Sequence, residues 1–257
     1  MSAEIPPARI RPLSSDDPEE RKTVMRLVAK HEMEALARAN RRAYTNPALL
    51  LLWLAISSAF VEYMQWWPHQ QPATLGGVWS WLSPTRGYAP FLVVLLVAVD
   101  WFNRSHFEDH MQATLRAEDM HDLLSYYAQP PGSAFWLLEY DGDIIGLAAV
   151  KVQESPDGQA ASAFGVITHF TVIELYRPAG VQRDLLQHAL RKTFEANDRV
   201  AFVQTEEVAL HPYIQQALRE EGFRATDGDA VRTMGFMRWK VRNSVMTRDQ
   251  WKKRQGN

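Results

Sequence analysis

The residues with the clearest chemical potential form a short loop, residues 177–183, between two regular segments. Residues 163–172 are rich in β-branched and aromatic side chains, which predicts a strand. Apolar residues recur at helical spacing across 185–194, which predicts a helix. Free N–H groups at a helix N-terminus favour an anion such as a phosphate, and Gly180 lets backbone approach a ligand without a Cβ. The loop therefore predicts a pyrophosphate cradle; a purely structural crossover is the alternative.

Three further residues have side chains that can exchange protons. Glu206 follows a predicted strand over residues 200–205, and a solvated loop carboxylate is the alternative interpretation. His211 begins a predicted helix and can titrate near neutral pH, and a helix-cap histidine fits the same position. His169 lies in the predicted strand over residues 163–172, on the face opposite its neighbours, and we interpret it as a packed core histidine.

The composition narrows the class of protein. The chain has 257 residues, 46% hydrophobic and 23% charged, and a formal net charge of −2, so nothing in it predicts a nucleic-acid partner. The absence of cysteine excludes disulfides, thiolate catalysis and cysteine-based zinc sites. His106 and His110 lie four residues apart without a third ligand, so we predict no metal site. The N-terminus lacks the basic and apolar regions of a signal peptide.

Two almost wholly apolar runs, residues 48–61 and 88–102, interrupt the amphipathic pattern. With their flanking Trp and Tyr residues, each approaches the length of about 20 residues that a bilayer requires. Arginine residues flank the pair on its outer sides: Arg38, Arg41, Arg42 and Arg104. The loop between the runs carries only Arg86 as a full positive charge, so the positive-inside rule puts both ends of the hairpin in the cytosol. We predict a membrane hairpin in an internal membrane such as the endoplasmic reticulum; a buried or surface-embedded helical pair is the alternative.

The remaining pattern predicts the order strand, helix, apolar hairpin, helix, three strands, helix, strand, helix and two strands. It divides the chain into four regions. Residues 1–46 form the first strand and helix, 47–104 the hairpin, 105–242 the rest of the main domain, and 243–257 a basic polar tail with a frayed end.

The predicted cradle resembles the acyl-CoA loop of the GNAT N-acetyltransferase superfamily, whose pattern after a strand is Arg/Gln-x-x-Gly-x-Gly/Ala. Here the strand residue Val172 precedes the loop, and Arg177 and Gly180 match the pattern. Gln182 stands at the final Gly/Ala position. Pro178 has no N–H group and stands where a glycine is common.

The element order also resembles that of GNAT proteins, over residues 9–14 and about 107–242. The inserted hairpin resembles the membrane-anchored branch of the superfamily, which includes cysteine S-conjugate N-acetyltransferases. A Phe-Trp strand at 135–136 and an Asp-Gly turn at 141–142 are similar to that branch.

This resemblance implies an α+β fold: a three-layer αβα GNAT fold with a mixed, mostly antiparallel sheet and an inserted α-helical membrane hairpin. It implies acetyl-CoA as cosubstrate, held by the strand and the loop: Phe170, Thr171, Val172, Arg177, Pro178, Ala179, Gly180, Val181, Gln182 and Arg183. It also implies that Glu206 accepts the proton of an amine and that His211 assists. Leu218 stands where the family often has a tyrosine that donates a proton to the thiolate. Tyr213 lies five residues earlier, so we expect it to point in another direction.

The predicted function is membrane-anchored transfer of an acetyl or acyl group from acetyl-CoA to an amine of a small molecule or protein. Its partners are then acyl-CoA, an amine acceptor that the sequence does not reveal, and the lipid bilayer. The alternative is a catalytically weak or inactive GNAT-fold protein that binds acyl-CoA or a partner at a membrane. Leu218 and Gln182 favour this alternative, and Arg177 with Gly180 favours the enzyme.

Overall fold

The structure, a computed structural model, describes these parts of the chain: residues 8–13, 17–67, 84–154, 163–226 and 230–255. The start of the chain and residues 68–83, which make up most of the loop predicted between the two apolar runs, therefore lie outside the described residues. The strands are β1 Arg9–Pro12, β2 Ala134–Tyr140, β3 Asp143–Glu154, β4 Ala163–Val172, β5 Val200–Val208, β6 Arg224–Ala225, β7 Arg232–Met234 and β8 Trp239–Thr247. The helices are α1 Pro18–Tyr44, α2 Pro47–Tyr63, α3 Thr85–Leu115, α4 Glu118–His121, α5 Leu123–Ala128, a 3₁₀ helix Glu174–Ala179, α6 Val181–Ala196, α7 Pro212–Glu220 and α8 Arg248–Gln255.

The strands form one sheet in the order β1-β2-β3-β4-β5-β8-β6, with β7 also paired to β8. Within the described strands, β4 and β5 pair in parallel and the other neighbours are antiparallel. The predicted mixed, mostly antiparallel sheet is therefore confirmed.

Helices cover both faces of this sheet because successive strand residues point to opposite sides. Leu137 and Leu147 pack with Val24, Leu27 and Val28 of α1, while the neighbouring residues of β2 and β3 face the other way. The second face is covered by α6 and α7 through a larger cluster, whose buried members include Leu138, Ala148, Leu185, Leu186, Leu190, Phe194 and Leu218. The predicted three-layer arrangement is confirmed.

The two strands that pair in parallel separate before they end. Their register runs from Ala163↔Val200 to Ile167↔Thr205, although β4 continues to Val172 and β5 to Val208. Beyond this point β4 stays paired with β3, and β5 stays paired with β8. A gap therefore opens between the second halves of β4 and β5.

The chain divides into two compact units. The first comprises residues 1–34, 109–234 and 238–257, and the second comprises residues 35–108 and 235–237. The sheet belongs to the first unit. The second contains the end of α1, helix α2 and most of α3.

The second unit exposes a large apolar surface on α2 and α3. Its exposed members include Leu51, Leu52, Leu54, Val93, Val94, Val97 and Trp101. Helix α3 is long and apolar enough to cross a membrane. Of its most apolar stretch of 18 residues, 11% is buried in the protein. Helices α1 and α2 are long and apolar enough for this only when they are taken together, and the pair is bent by 55°.

Within this unit α2 and α3 pack closely at Gly87. A Cβ built on Gly87 would lie 2.5 Å from Cγ2 of Val61, which is itself fully buried. The hydroxyl groups of Ser58 and Tyr88 are 2.8 Å apart across the same pair of helices. Small residues and hydroxyl bonds at a helix contact are typical of helices that associate in membranes.

The end of the chain differs from the polar tail that we predicted for residues 243–257. Residues 239–247 form strand β8 and residues 248–255 form α8. Arg248 donates hydrogen bonds to the carbonyl groups of Phe194 and Val200, and Trp251 lies 5.1 Å from the ring of Phe194. Because Arg248 satisfies a free carbonyl near the C-terminus of α6 and Trp251 packs on the core, this basic segment is ordered.

Candidate functional site

A cavity of about 450 Å³ lies beside the gap between β4 and β5. Its polar and charged lining includes His31, Glu32, His110, Asp119, Thr168, His169, Thr171, Glu206, His211 and Arg232. All of these residues belong to the unit that contains the sheet. The cavity therefore brings proton-exchanging side chains to one edge of β4.

The backbone of β4 presents groups without a strand partner to the gap. Ile173 N–H donates to the Ile145 carbonyl of β3 at 2.8 Å, so the backbone groups of Val172 and Phe170 point the other way, toward β5. Pairing of β4 with β5 has already ended at Ile167 in the described strands. The Phe170 N–H and C=O are thus placed to bind an amide-bearing chain, whereas the backbone of Thr171 faces β3.

Two side chains already contact the backbone of Val172. The hydroxyl of Tyr213 is hydrogen-bonded to this backbone and lies 3.3 Å from Oγ1 of Thr171. Nε of Arg177 donates to the Val172 carbonyl at 2.7 Å. Burial raises the pKa of Tyr213, against the opposing effects of Thr171 and Arg177, so its hydroxyl keeps its proton at neutral pH. We expected Tyr213 to point elsewhere than the family's tyrosine position at Leu218, and its hydroxyl lies at the end of β4.

The predicted cradle loop combines the 3₁₀ helix with the first turn of α6. Gly180 joins them with a φ of 77°, in the left-handed region that favours glycine. A Cβ at Gly180 would meet no atom within 4 Å, so the space beside it is open. No side chain caps the first turn of α6 in the described structure. Arg183 N–H donates to the Gly180 carbonyl at 2.9 Å, and the N–H groups of Val181 and Gln182 can receive an anion.

The side chains of the cradle loop are less available than its backbone. The Arg177 side chain is 9% exposed, and its Nη2 donates to Glu34 at 2.7 Å. Arg183 donates to Glu221 at 2.8 Å while its side chain remains half-exposed. The side-chain oxygen Oε1 of Gln182 is buried without a hydrogen-bond partner. Arg177 thus fixes the loop, and the backbone from Pro178 to Arg183 is the part that can contact a ligand.

Glu206, which we predicted to accept a proton, lines the cavity but forms an ion pair. Nη2 of Arg232 lies 2.8 Å from its Oε2, and Nε of Arg232 lies 3.1 Å from the same oxygen. This pair holds one carboxylate oxygen against a permanent cation. Glu206 must give up this contact before it can accept a proton there.

His211 also lines the cavity, and it is 3% exposed. Its ring stacks on that of His31 with the centroids 4.0 Å apart. Nδ1 of His31 lies 3.3 Å from the hydroxyl of Tyr213. His211 occupies the N-cap position of α7, as the helix-cap interpretation expects, but its side chain makes no cap hydrogen bond.

His169 is part of a buried polar network rather than an isolated core histidine. Its Nε2 lies 2.7 Å from Oδ2 of Asp119, which also accepts a hydrogen bond from Tyr127 at 2.9 Å. The Tyr127 hydroxyl lies 2.6 Å from Oγ1 of Thr168. Burial would raise the pKa of Asp119, but its bonds with His169 and Tyr127 outweigh burial and lower the pKa.

Glu32 is a cavity residue that the sequence interpretation missed. It lies on α1 one turn after Val28, which itself continues the buried face from Val24. Its side chain is 16% exposed, and its Oε2 lies 3.6 Å from Nε2 of His110. A carboxylate at the next i+4 position of an apolar stripe was the signal in the sequence. Leu218, by contrast, is buried in the core and offers no acidic group.

Residues 96–217 match the model of the acetyltransferase (GNAT) family. The N-acetylaspartate synthetase of Mus musculus is 26% identical over 102 residues, which is 40% of this chain and 33% of that protein. The N-acetylaspartate synthetase of Xenopus tropicalis is 33% identical over 54 residues, 21% of this chain and 20% of that protein. The matches thus cover a third or less of these two relatives.

Solved structures with a similar backbone include a GNAT-family acetyltransferase from Streptococcus pneumoniae. Its TM-score is 0.43 at 15% identity, covering 51% of this chain and 75% of that chain. The spermidine/spermine N-acetyltransferase of Vibrio cholerae has a TM-score of 0.40 at 14% identity, covering 58% and 78%. The similarity to the acetyltransferase (GNAT) family is carried by the match over residues 96–217, and these two structures add no argument to it.

Proposed function

We propose that this chain, which carries a GNAT acetyltransferase domain, transfers the acetyl group of acetyl-CoA to the amine of a small molecule. The observation that carries this proposal is the early end of pairing between β4 and β5, at Ile167 and Thr205. It leaves the Phe170 backbone facing a gap that adjoins a cavity with acids and bases. An acyl donor along β4 and an amine in the cavity would meet there.

Acetyl-CoA would supply an activated thioester, and the chain would orient it. We assign the pantetheine to the β4 backbone from Phe170 to Val172, where Phe170 N–H can polarise the thioester carbonyl. We assign the pyrophosphate to the cradle loop, from Arg177 through Gly180 to Arg183, where uncapped N–H groups and open space coincide.

The acceptor would enter the cavity from the side of β5 and β7. Glu206 and His211, which the sequence suggested for proton transfer, both line this cavity. Two matched relatives are named N-acetylaspartate synthetases, so aspartate is the first acceptor to test. An aspartate would find both acidic and basic partners there, among them Glu32 and Arg232.

We also propose that α2 and α3 hold the domain at a membrane, with both chain ends in the cytosol. The exposed apolar residues of these helices and the length of α3 support this. Extraction with carbonate should leave the full chain in the membrane fraction, and a glycosylation tag at residues 76–77 should be modified in the endoplasmic reticulum. Release by carbonate would contradict the proposal.

The second candidate is a non-catalytic protein that binds acyl-CoA at a membrane. Leu218 favours this candidate, because it stands where the family often has a tyrosine that acts as a general acid. Its side chain is buried in the core. The two candidates differ in turnover and not in binding.

The test uses the full chain in detergent. Acetyl-CoA binding is measured by calorimetry, and CoA release is measured with aspartate, other amino acids, cysteine conjugates and polyamines. Binding with amine-dependent CoA release supports the acetyltransferase. Binding without release from any acceptor supports the second candidate, and absence of binding contradicts both.

A further inference from the structure

We infer that Glu32 is the general base that removes a proton from the acceptor amine. This inference rests on the proposed acetyltransferase function and deepens it. It replaces Glu206 with a residue that the sequence pattern did not single out.

The position of Glu32 follows from the packing of α1. Val24 and Val28 are buried against the sheet, and Glu32 continues their face one turn later. There the sheet no longer fills the space, and the carboxylate lines the cavity together with Phe170 of β4. Helix α1 therefore carries an acid to the strand edge proposed for the thioester.

The three carboxylates that line the cavity in the described part of the chain differ in their partners. Asp119 accepts from His169 and Tyr127 at 2.7 and 2.9 Å. Glu206 is held by Arg232 at 2.8 Å. Glu32 has a histidine nitrogen at 3.6 Å as its nearest ionic partner, longer than a hydrogen bond. Its oxygens are therefore the most available to a proton on a bound ligand.

The surroundings of Glu32 raise its pKa, which makes the carboxylate a stronger base. Burial raises the pKa of Glu32, and the charge of Glu206 adds to this, whereas His169 and Arg232 act in the opposite direction. His110 faces the same carboxylate. A carboxylate with a raised pKa accepts a proton more readily than an exposed one. Unlike an ion-paired carboxylate, it does not lose a close ion pair when it is protonated.

The reaction balances with this single base. Glu32 takes one proton from the ammonium form of the acceptor, and the free amine nitrogen attacks the thioester carbon. The C–N bond forms, the C–S bond breaks, and CoA leaves as a thiolate. The extra proton on nitrogen then passes to this thiolate, and Glu32 returns its own proton to solvent.

The test compares Glu32→Gln with Glu206→Gln and with Glu19→Gln in the full chain. Glu19 lies at the exposed start of the same helix and pairs with Lys22, so its change controls for loss of a charge from α1. CoA release is followed with the amine panel and with water as acceptor, from pH 5.5 to about 9.5. Calorimetry checks that each variant still binds acetyl-CoA.

We expect Glu32→Gln to lower kcat by about 10²–10⁴-fold at neutral pH, the usual range for loss of a general base. The loss should shrink as pH rises and more acceptor is already neutral. The Glu19→Gln variant should keep the activity of the unmodified chain. The Glu32→Asp variant should retain part of the activity that Glu32→Gln loses. A merely structural role for Glu32 would give a loss that is the same at every pH.

The results that would overturn the assignment also separate it from the proposed function. Activity of Glu32→Gln within threefold of the unmodified chain, or a loss confined to Glu206→Gln, would remove Glu32 and keep the acetyltransferase. An unmodified chain that binds acetyl-CoA but releases no CoA to any acceptor or to water would remove both.

Discussion

Arg177 lies over the ring of Tyr213, with the guanidinium carbon 3.8 Å from the ring centre. Both side chains also contact the backbone of Val172, one at its carbonyl and the other through its hydroxyl. Glu34 holds the opposite side of the guanidinium. The last residue of β4 is therefore occupied by the protein's own groups, and a pantetheine bound there must displace the Tyr213 hydroxyl.

The change Tyr213→Phe should accordingly strengthen acetyl-CoA binding. It frees the Val172 backbone while keeping the ring beneath Arg177, and one hydrogen bond of about 1 kcal/mol corresponds to roughly fivefold in Kd. Calorimetry on the full chain measures this, with Tyr126→Phe as a control on α5. Weaker binding by a folded Tyr213→Phe protein would mean that the hydroxyl is itself a ligand of the cosubstrate.

Gly180→Glu should abolish tight acetyl-CoA binding. The added carboxylate would enter the open space beside the cradle loop and repel the pyrophosphate, and the left-handed φ adds backbone strain. Gly142→Glu is the matched control, because Gly142 also has a positive φ and open space around its missing Cβ. We expect at least a ~10-fold rise in Kd, about 1.4 kcal/mol, for Gly180→Glu alone. Equal affinities for the two variants would show that the loop is not the site.

Asp119 should make the stability of the sheet unit depend on pH. Its pKa is lower in the folded chain, so it stabilises the fold above its unfolded pKa, and this contribution is lost as pH falls through the folded value. Asp119→Asn should lose about 2 kcal/mol at pH 7, the range for hydrogen bonds to a charged group. The difference should shrink as pH falls from 5 to 3 and below.

Denaturant unfolding at pH 7, 5 and 3 checks this prediction. The exposed Asp109 of α3 provides the comparison, through Asp109→Asn. A difference between Asp119→Asn and the unmodified chain that stays constant over this pH range would mean that the His169 contact adds nothing to folding.

The alternation of apolar residues was enough to predict the sheet and the helices that cover it. Leu137 and Leu147 face α1 and Leu138 faces α6, as residues of period two must. The glycine of the cradle could also be predicted, because a left-handed turn before a helix favours glycine whatever surrounds it. These are local consequences of residue type.

The polar partners of the cavity could not be predicted in the same way. His169 meets Asp119 across 50 residues, and Arg177 meets Glu34 across 143. Such pairs depend on how α1 and α4 dock on the sheet, which no spacing along the chain encodes. Arg177 matches a family pattern for a loop that binds phosphate. In the structure its side chain instead binds Val172 and Glu34 and so fixes the loop.

The contact between α2 and α3 gives a prediction about the hairpin. Gly87→Ala should destabilise this helix pair, because the new methyl group would lie 2.5 Å from Cγ2 of Val61. Val61 is fully buried and branched at Cβ, so it has little freedom to move aside. Overpacking of this kind costs about 1–3 kcal/mol. Thermal unfolding of the full chain in detergent should therefore shift to lower temperature for Gly87→Ala.

The double change Gly87→Ala with Val61→Ala tests the cause. If the two side chains compete for one space, the second change should recover stability relative to the sum of the single changes, since residues in contact are not additive. Val61→Ala alone should be destabilising because it leaves a cavity beside a glycine. Strictly additive effects in the double variant would mean that Gly87 is required for backbone reasons and not for the close approach of α2.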